Sequence, residues 1–536
     1  MLRRMISENR IICGVLLGVM IIQTIMMSIL IPQRQYLFCD EVYSYGLANS
    51  VDRTFLSPQE TAGEWIPSEL YTSYTLYQDT EGFNFVAAYA NQDADVHPPL
   101  YYMLIHVFSR LFQRDNLDVL PGVLLNIICM YIADILLLYI SQFIFQEKKY
   151  VILPLIIWGL SSACISNCVF IRMYMMQTAE ILLFMAYHIY VLRHWKKLNP
   201  EGMLVFSLIV AVGGLTHYYF YVFAGTFAFC VCIYLLIRKQ YKDMFKYGIS
   251  LLWGIVCALF VFPSTLSKHI LGYRGAETIE AVSGLDIKTI IFRVCEALAE
   301  QMGHYIVFIV LGLLFFVTLV IRRSHDDIIF HKNSRLSFFA ITLITSIAFS
   351  YFVMQGSQSA NAIRYIYPII AVYSLLIAYM IISISRAVES RKQGIVAIVV
   401  SVLLPILSLS IHGVDWMYKN FDRSQLEPVH NTDAIAFYDP EIWSDVYAAI
   451  VAMNEYDEIV FVPIQQYQNI NYQDLATQRK TASEEISIIS IASIYANHYA
   501  DEKGALDKVA GDLGYTGEEY VAGVSIFDWK AYKLIK

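Results

Sequence analysis

Residues 203–263 read MLVFSLIVAVGGLTHYYFYVFAGTFAFCVCIYLLIRKQYKDMFKYGISLLWGIVCALFVFP. The charged residues of this stretch, Arg238, Lys239, Lys242, Asp243 and Lys246, all fall between positions 238 and 246. Around them stand three apolar runs, at 203–216, 218–237 and 247–263. A helix needs about 20 mostly apolar residues to cross a bilayer, and cytoplasmic loops are the ones that keep Lys and Arg. The stretch therefore reads as three membrane helices, the first of them short. A basic turn joins the second and third on the inside. His217-Tyr218-Tyr219 marks the outer connection between the first and second.

The same alternation extends outward in both directions. Further apolar runs occupy 11–31, 121–145, 151–167, 173–192, 304–321, 336–354, 366–385 and 394–411, which makes eleven in all. The connections placed inside are 1–10, 146–150, 193–202, 238–246, 322–335 and 386–393, and they hold 19 of the chain's 38 Lys and Arg. The outer connections 167–172 and 355–365 hold one each, Arg172 and Arg364. The first run is longer than the roughly 7–15 residues of a signal-peptide core and lacks a small-residue cleavage site, so it reads as a retained anchor.

Composition agrees. The 536 residues are 57% hydrophobic and 16% charged, with a mean hydropathy of +0.51, against about 25% charged in a soluble protein. That balance excludes a soluble enzyme, a nucleic-acid binder and a disordered scaffold. Of the nine cysteines, Cys13, Cys129, Cys164, Cys230, Cys232 and Cys257 lie in apolar runs without zinc or disulfide spacing, and Cys39 reads as packing. The fold class is an all-α polytopic membrane protein of about 11 transmembrane helices, with the N-terminus cytoplasmic and the chain multi-pass in the cell membrane.

Three large pieces remain outside, at 32–120, 264–303 and 412–536. The last has soluble composition. A helical stretch at 443–456 precedes a β-rich run from Glu458 to Ile464, further helical pattern follows around 500–513, and Glu519 to Leu534 reads as strands. Strands alternating with helices make a small extracytoplasmic α/β domain. The domain division is 1–411 for the membrane body, which includes the first outer loop, and 412–536 for the appended domain.

Candidate chemistry falls on the outer side. Asp40-Glu41 follow the first run, where adjacent carboxylates supply either a general base or a helix cap. Asp93, Asp95 and His97 alternate ahead of Pro98-Pro99, either as ligands for a divalent metal or as an ordinary acidic turn. The helix expected over 99–113 is too short to span and belongs in the membrane interface. Arg172-Met-Tyr174 and Asn361-Ala-Ile-Arg364-Tyr365 place isolated arginines where Lys and Arg are otherwise kept away. A guanidinium is the natural grip for two phosphate oxygens. With His217-Tyr218 and paired carboxylates on the same face, the set fits an anionic lipid head group. Tyr101, Tyr102, Tyr218 and Tyr219 are candidates for stacking on a sugar ring, against the commoner role of interface anchors.

Asp40-Glu41 after the first run, together with His97-Pro98-Pro99-Leu100-Tyr101-Tyr102 late in the first outer loop, resembles the GT-C glycosyltransferases. The nearest group is that of the dolichyl-phosphate-mannose protein mannosyltransferases and aminoarabinose transferases, in its bacterial branch. Arg364-Tyr365-x-x-Pro368 and Arg172-x-Tyr174 are also similar to that group. The resemblance covers roughly 1–411, while 412–536 matches nothing that can be named. It implies a GT-C-like fold and transfer of a hexosyl or pentosyl unit, with inversion, from a polyprenyl-phosphate-linked donor. The acceptor on the extracytoplasmic side is a lipid, glycan or protein. It also implies that Asp40, with Glu41 adjacent, serves as base, and that His97 contacts the phosphate or organises the loop over the sugar. Arg172, Tyr174, His217, Tyr218, Arg364 and Tyr365 complete the substrate-binding set. Members differ in metal dependence, so no cofactor is fixed, and Asp93, Asp95 and His97 stand as the candidates for a divalent ion.

A transporter or flippase of lipid-linked sugars is the alternative. Transporters place charges near the bilayer midplane and show repeated halves. Here only Asp134 and Glu180 are clear acids within spans, and both should face the bundle interior. A membrane-anchored binding protein ranks last, because eleven spans exceed what an anchor needs.

Overall fold

The structure is a computed structural model. It describes residues 10–51, 54–78, 82–95, 97–145, 147–193, 199–272, 287–321, 333–355, 362–386, 392–414, 421–481, 485–491, 499–524 and 529–536. Parts of the basic connections 1–10, 193–202, 322–335 and 386–393, and of the outer segment 264–303, lie outside the described residues. The chain divides into two compact units.

The first unit comprises Met1–Leu30, Asp95–Tyr101 and Val123–Trp416 and carries the apolar helices. All eleven runs are helical where described. Among the described residues, seven helices are long and apolar enough to cross a membrane: Arg10–Gln33, Leu120–Ile144, Tyr219–Ile237, Tyr241–Val261, Arg335–Met354, Arg364–Ser385 and Gln393–His412. Their outward surfaces are aliphatic and aromatic, with Leu17, Ile25, Phe229, Ile237, Trp253 and Phe260 all exposed, as a lipid-facing surface requires. Serine and threonine hydroxyls inside the helices return to the carbonyl four residues back, as Thr226 does to Val222 and Thr342 to Phe338.

The other runs expected as spans fall outside this length-and-composition test. Pro200–Thr216 has 17 residues and reaches about 26 Å at 1.5 Å per residue, short of a ~30 Å hydrocarbon core. Tyr305–Thr318 is also short among the described residues, and Tyr174–Arg193 carries Gln177, Glu180 and His188. The run expected as one span at 151–167 is two helices, bent by 51° between Lys148–Gly159 and Ser162–Val169, and counts as an eighth span only if the pair is taken together. Ser161 caps the second helix, accepting from Cys164 N at 3.2 Å. At the break, Gln23 Nε2 donates to Gly159 O at 2.9 Å. A Cβ on Gly159 would lie 3.1 Å from Gln23 Nε2 and Val19 Cγ1 and 3.3 Å from Asp134 Oδ1, a close approach that a larger residue would make only by moving these side chains. Asp134 and Glu180 do face inward, both buried, and Glu180 accepts from Thr216 Oγ1 at 2.6 Å.

The second unit comprises Ile31–Ala94, Tyr102–Gly122 and Met417–Lys536. In space, most of the first outer loop thus joins the C-terminal segment, whereas the chain-wise division had grouped it with the spans. The unit holds a six-stranded sheet of order β1-β3-β2-β4-β6-β5, with β1 Trp65–Pro67, β2 Thr432–Tyr438, β3 Tyr456–Pro463, β4 Ile486–Ile491, β5 Gly517–Val524 and β6 Trp529–Ile535. β3, β2 and β4 run parallel, and the outer strands are antiparallel to their neighbours. β1 comes from the first outer loop, and Trp65 Nε1 donates to Leu475 O at 2.8 Å. Ile435, Phe437, Val460 and Ile488 of the central strands pack against Leu506, Val509 and Ala510 of the Tyr499–Leu513 helix.

The stretch expected as a helix over 443–456 is instead a run of 3₁₀ turns at Pro440–Ala449, a single α turn at Ile450–Met453, and the start of β3. Ile442 breaks the run with non-helical dihedrals. Its aromatic residues pack inward: Tyr447 lies 4.9 Å from both the Tyr43 and Tyr74 rings.

Candidate functional site

In the membrane unit, a polar and aromatic cluster forms where several helices begin or end. The Ser162–Val169 helix finishes at a turn in which Arg172 N donates to Phe170 O at 2.8 Å, and the Tyr174–Arg193 helix starts two residues later. Prolines 98 and 99 are buried and precede the Leu100–Phe112 helix, which agrees with the helix expected over 99–113. Their fixed φ holds His97 in the segment just before that helix.

His97 Nδ1 lies 2.9 Å from Asp95 Oδ2, and Arg172 Nη2 lies 3.4 Å from His97 Nε2. A guanidinium only donates, so Nε2 is the accepting nitrogen and Nδ1 carries the proton given to Asp95. His97 thus sits between a carboxylate on its Nδ1 side and a guanidinium on its Nε2 side. Arg172 is 5% exposed, whereas the His97 and Asp95 side chains are 19% and 17% exposed, so the open end of the relay is the histidine and its acid.

Rings connect this relay to the remaining candidates. The His97 ring centroid is 5.9 Å from His217 and 6.5 Å from Tyr218. His217 Nδ1 accepts from Tyr219 N at 3.0 Å, which leaves the imidazole proton on Nε2. Tyr174 is 6.0 Å from His217 and stands edge-on to Tyr365 at 5.8 Å, and Tyr219 meets Tyr365 at 5.6 Å. Arg364 lies with its guanidinium carbon 5.2 Å from the Tyr365 ring centre and donates to the Tyr365 hydroxyl at 3.4 Å. His97, Arg172, Tyr174, His217, Tyr218, Arg364 and Tyr365 thus share one cluster within one unit. It offers two guanidiniums, two imidazoles and several ring faces, a donor set suited to a phosphate beside a sugar.

Asp40 and Glu41 belong to the other unit, in the first turn of the Cys39–Asn49 helix. Glu41 is fully buried, its Oε2 2.5 Å from Arg34 Nη2 and accepting from Phe38 N at 2.9 Å. This is the capping arrangement, with Glu41 reaching back to the residue before the helix. Asp40 is half-buried, and its backbone carbonyl accepts from Ser44 Oγ at 3.0 Å. Cys39 packs as expected, with Sγ 3.7 Å from Ser444 O. Burial holds the nearby Tyr43 phenol well above the usual tyrosine range, so it remains a donor, bonded to Ser444 O at 3.3 Å.

Asp93 is exposed at the end of the Phe85–Ala94 helix, and the Asp95 carboxylate is engaged with His97. Among the described residues, no group of three or more His, Cys, Asp or Glu is placed to hold a metal ion, and the candidates Asp93, Asp95 and His97 are not gathered into one.

Two participants escaped the sequence reading. Arg34, seven residues before Glu41, fixes which way that carboxylate turns. Asn126, inside an apolar run, binds the carbonyls of Cys168 at 3.1 Å and Phe170 at 2.7 Å, just before Arg172. An amide within a membrane helix is itself the signal that points to it.

No protein-family model matches the chain, and no curated protein matches it. Solved structures similar to it include ArnT from Cupriavidus metallidurans bound to undecaprenyl phosphate, at 10% identity over 98% of each chain, with a TM-score of 0.46. The apo oligosaccharyltransferase of Archaeoglobus fulgidus is similar at 11% identity, over 96% of this chain and 74% of that one, with a TM-score of 0.44. AglB from Archaeoglobus fulgidus, in complex with an inhibitory peptide and a dolichol-phosphate, is similar at 12% identity over 95% and 72%, with a TM-score of 0.40. At about a tenth identity and TM-scores below 0.5, these likenesses carry no residue role over to this chain.

Proposed function

We propose that the protein is a membrane glycosyltransferase that moves a sugar from a polyprenyl-phosphate-linked donor to a lipid, glycan or protein acceptor on the extracytoplasmic side. The observation that carries this reading is the convergence of Arg172, His97 and Arg364 with the Tyr174, His217, Tyr218 and Tyr365 rings at the ends of membrane helices. Guanidiniums grip phosphate oxygens in pairs and stabilise the charge that develops as the glycosyl–phosphate bond breaks. Arg172 and Arg364 take that role. His97, set between Arg172 and Asp95, orients the phosphate, and the tyrosines stack on the sugar or prenyl end.

Asp40 takes the part of base, accepting the acceptor's hydroxyl or amine proton as the new glycosidic bond forms with inversion. Its assignment rests on its sequence position and on the commitment of Glu41 to Arg34. The basic-loop pattern favours the N-terminus inside and the cluster outside.

The binding test uses the full chain in detergent with undecaprenyl phosphate and, as neutral control, undecaprenol. Wild type should prefer the phosphate. Arg172→Ala and Arg364→Ala should each cut that preference by roughly 10-fold or more, the worth of a charge-assisted hydrogen bond. An undiminished preference in both folded variants contradicts the phosphate-clamp assignment.

A further inference from the structure

Asn126 is fully buried in the Leu120–Ile144 helix. Its Oδ1 accepts from the Tyr101 hydroxyl at 3.3 Å, and its Nδ2 donates to Cys168 O at 3.1 Å and Phe170 O at 2.7 Å. Both carbonyls lie at the end of the Ser162–Val169 helix, among the last carbonyls of a helix that the helix itself does not pair. The Asn126 amide is one of their partners, in a membrane body where backbone groups are satisfied from within the protein.

The two arms of the amide lead to the two members of the relay. Phe170 O also accepts from Arg172 N at 2.8 Å, so the Nδ2 arm fixes the turn that carries Arg172. Tyr101 lies four residues after His97 in the rigid His97-Pro98-Pro99-Leu100 segment, so the Oδ1 arm fixes the piece that carries His97. Arg172 and His97 then meet at 3.4 Å. Aspartate in the same volume has no donors for the carbonyls, and an aliphatic residue has neither donor nor acceptor.

We propose that Asn126 is a positioning residue, which sets the His97–Arg172 contact and through it the grip on the donor's phosphate. This rests on the transferase reading of the cluster. Asn126 itself touches no reacting atom. Its effect is geometric, and a displacement of about 1 Å in a phosphate clamp is enough to weaken it substantially.

The test titrates undecaprenyl phosphate, with undecaprenol as control, against full-length wild type, Asn126→Ala, Tyr101→Phe and Arg172→Ala, and against Arg172→Ala combined with each of the other two. Asn126→Ala should lower affinity for the phosphate about tenfold and leave undecaprenol binding unchanged, and Tyr101→Phe should lower it a few-fold. In the Arg172→Ala background neither should change affinity by more than about twofold, because a residue acting through Arg172 has nothing left to act on. Equal losses in both backgrounds, or an unchanged affinity in folded Asn126→Ala, overturn the proposal. Tyr101→Phe, which loses one hydroxyl, carries the test if Asn126→Ala does not fold.

A second readout is the ¹⁵N spectrum of the histidines, with the His97 signal assigned by its loss in His97→Gln. Wild type should show the Nδ1-protonated tautomer, and Asn126→Ala a mixture. An unaltered His97 signal overturns the positioning role. If wild type binds undecaprenyl phosphate no better than undecaprenol, the transferase reading fails, while the His97 signal still decides for or against Asn126.

Discussion

Replacing Glu41 with alanine separates a structural carboxylate from a catalytic one. The Arg34–Glu41 pair is 2.5 Å long, with side chains 1% and 0% exposed, and Glu41 also accepts the Phe38 backbone N–H at 2.9 Å. Removing one member of a buried pair leaves the other charged and uncompensated, at a cost of about 3–5 kcal/mol. The unit that holds the pair has about 200 residues. At that size 1 kcal/mol shifts Tm by about 2–4 °C, so Glu41→Ala should lower the unit's transition by roughly 6–20 °C. Arg34→Met with Glu41→Leu together should recover much of the loss, since an apolar pair of similar volume leaves no orphaned charge. The assay is thermal unfolding in detergent, followed by sugar transfer per folded molecule well below the variant's transition. Transfer by the double variant should remain near wild type. A Glu41→Ala protein that melts with wild type yet has lost transfer would refute the reasoning and return Glu41 to the chemistry.

Two further predictions concern close packing. Gly46→Ala places a Cβ 1.8 Å from Tyr74 Cε1, in a ring that is buried and tied by its hydroxyl to Thr54 O at 2.7 Å. It should destabilise by about 1–3 kcal/mol or more, read as a lower Tm, and an unchanged Tm contradicts the packing described. Gly159→Val crowds Gln23, Val19 and Asp134 at the bend between two helices and should lower thermal stability in detergent, whereas Gly225→Ala, with nothing within 4 Å, should not.

The membrane helices were legible because each carries its own signal, a long apolar run closed by a basic loop or an aromatic pair. The break after Gly159 was not, although Ser161-Ser162 mark it, because a serine pair is tolerated inside a membrane helix and the residue bonded to the Gly159 carbonyl, Gln23, lies far away in sequence. Strands such as TDAIAFY and ISIISI are short and buried on both faces, a pattern that periodicity does not separate from helix. The pairing of β1 with β3 joins residues near 65 to residues near 460, beyond any local reading. The cluster was legible as a set because topology places those helix ends on one side. Which carboxylate of Asp40-Glu41 is committed depends on Arg34, and a choice between neighbouring side chains is invisible in composition. Between a metal site and an acidic turn at Asp93, Asp95 and His97 the sequence left both open, because alternate spacing says nothing of side-chain direction, and His97 turns to Asp95 and Arg172.

The most direct test of the account is release of polyprenyl phosphate from a panel of radiolabelled polyprenyl-phosphate sugars, followed in proteoliposomes for wild type and Asp40→Asn. The account predicts release by wild type with at least one donor and its loss in a variant that keeps its fold and still binds undecaprenyl phosphate. No release by folded wild type with any donor, accompanied by movement of the intact lipid-linked sugar across the bilayer, would contradict it and make the protein a carrier of such lipids.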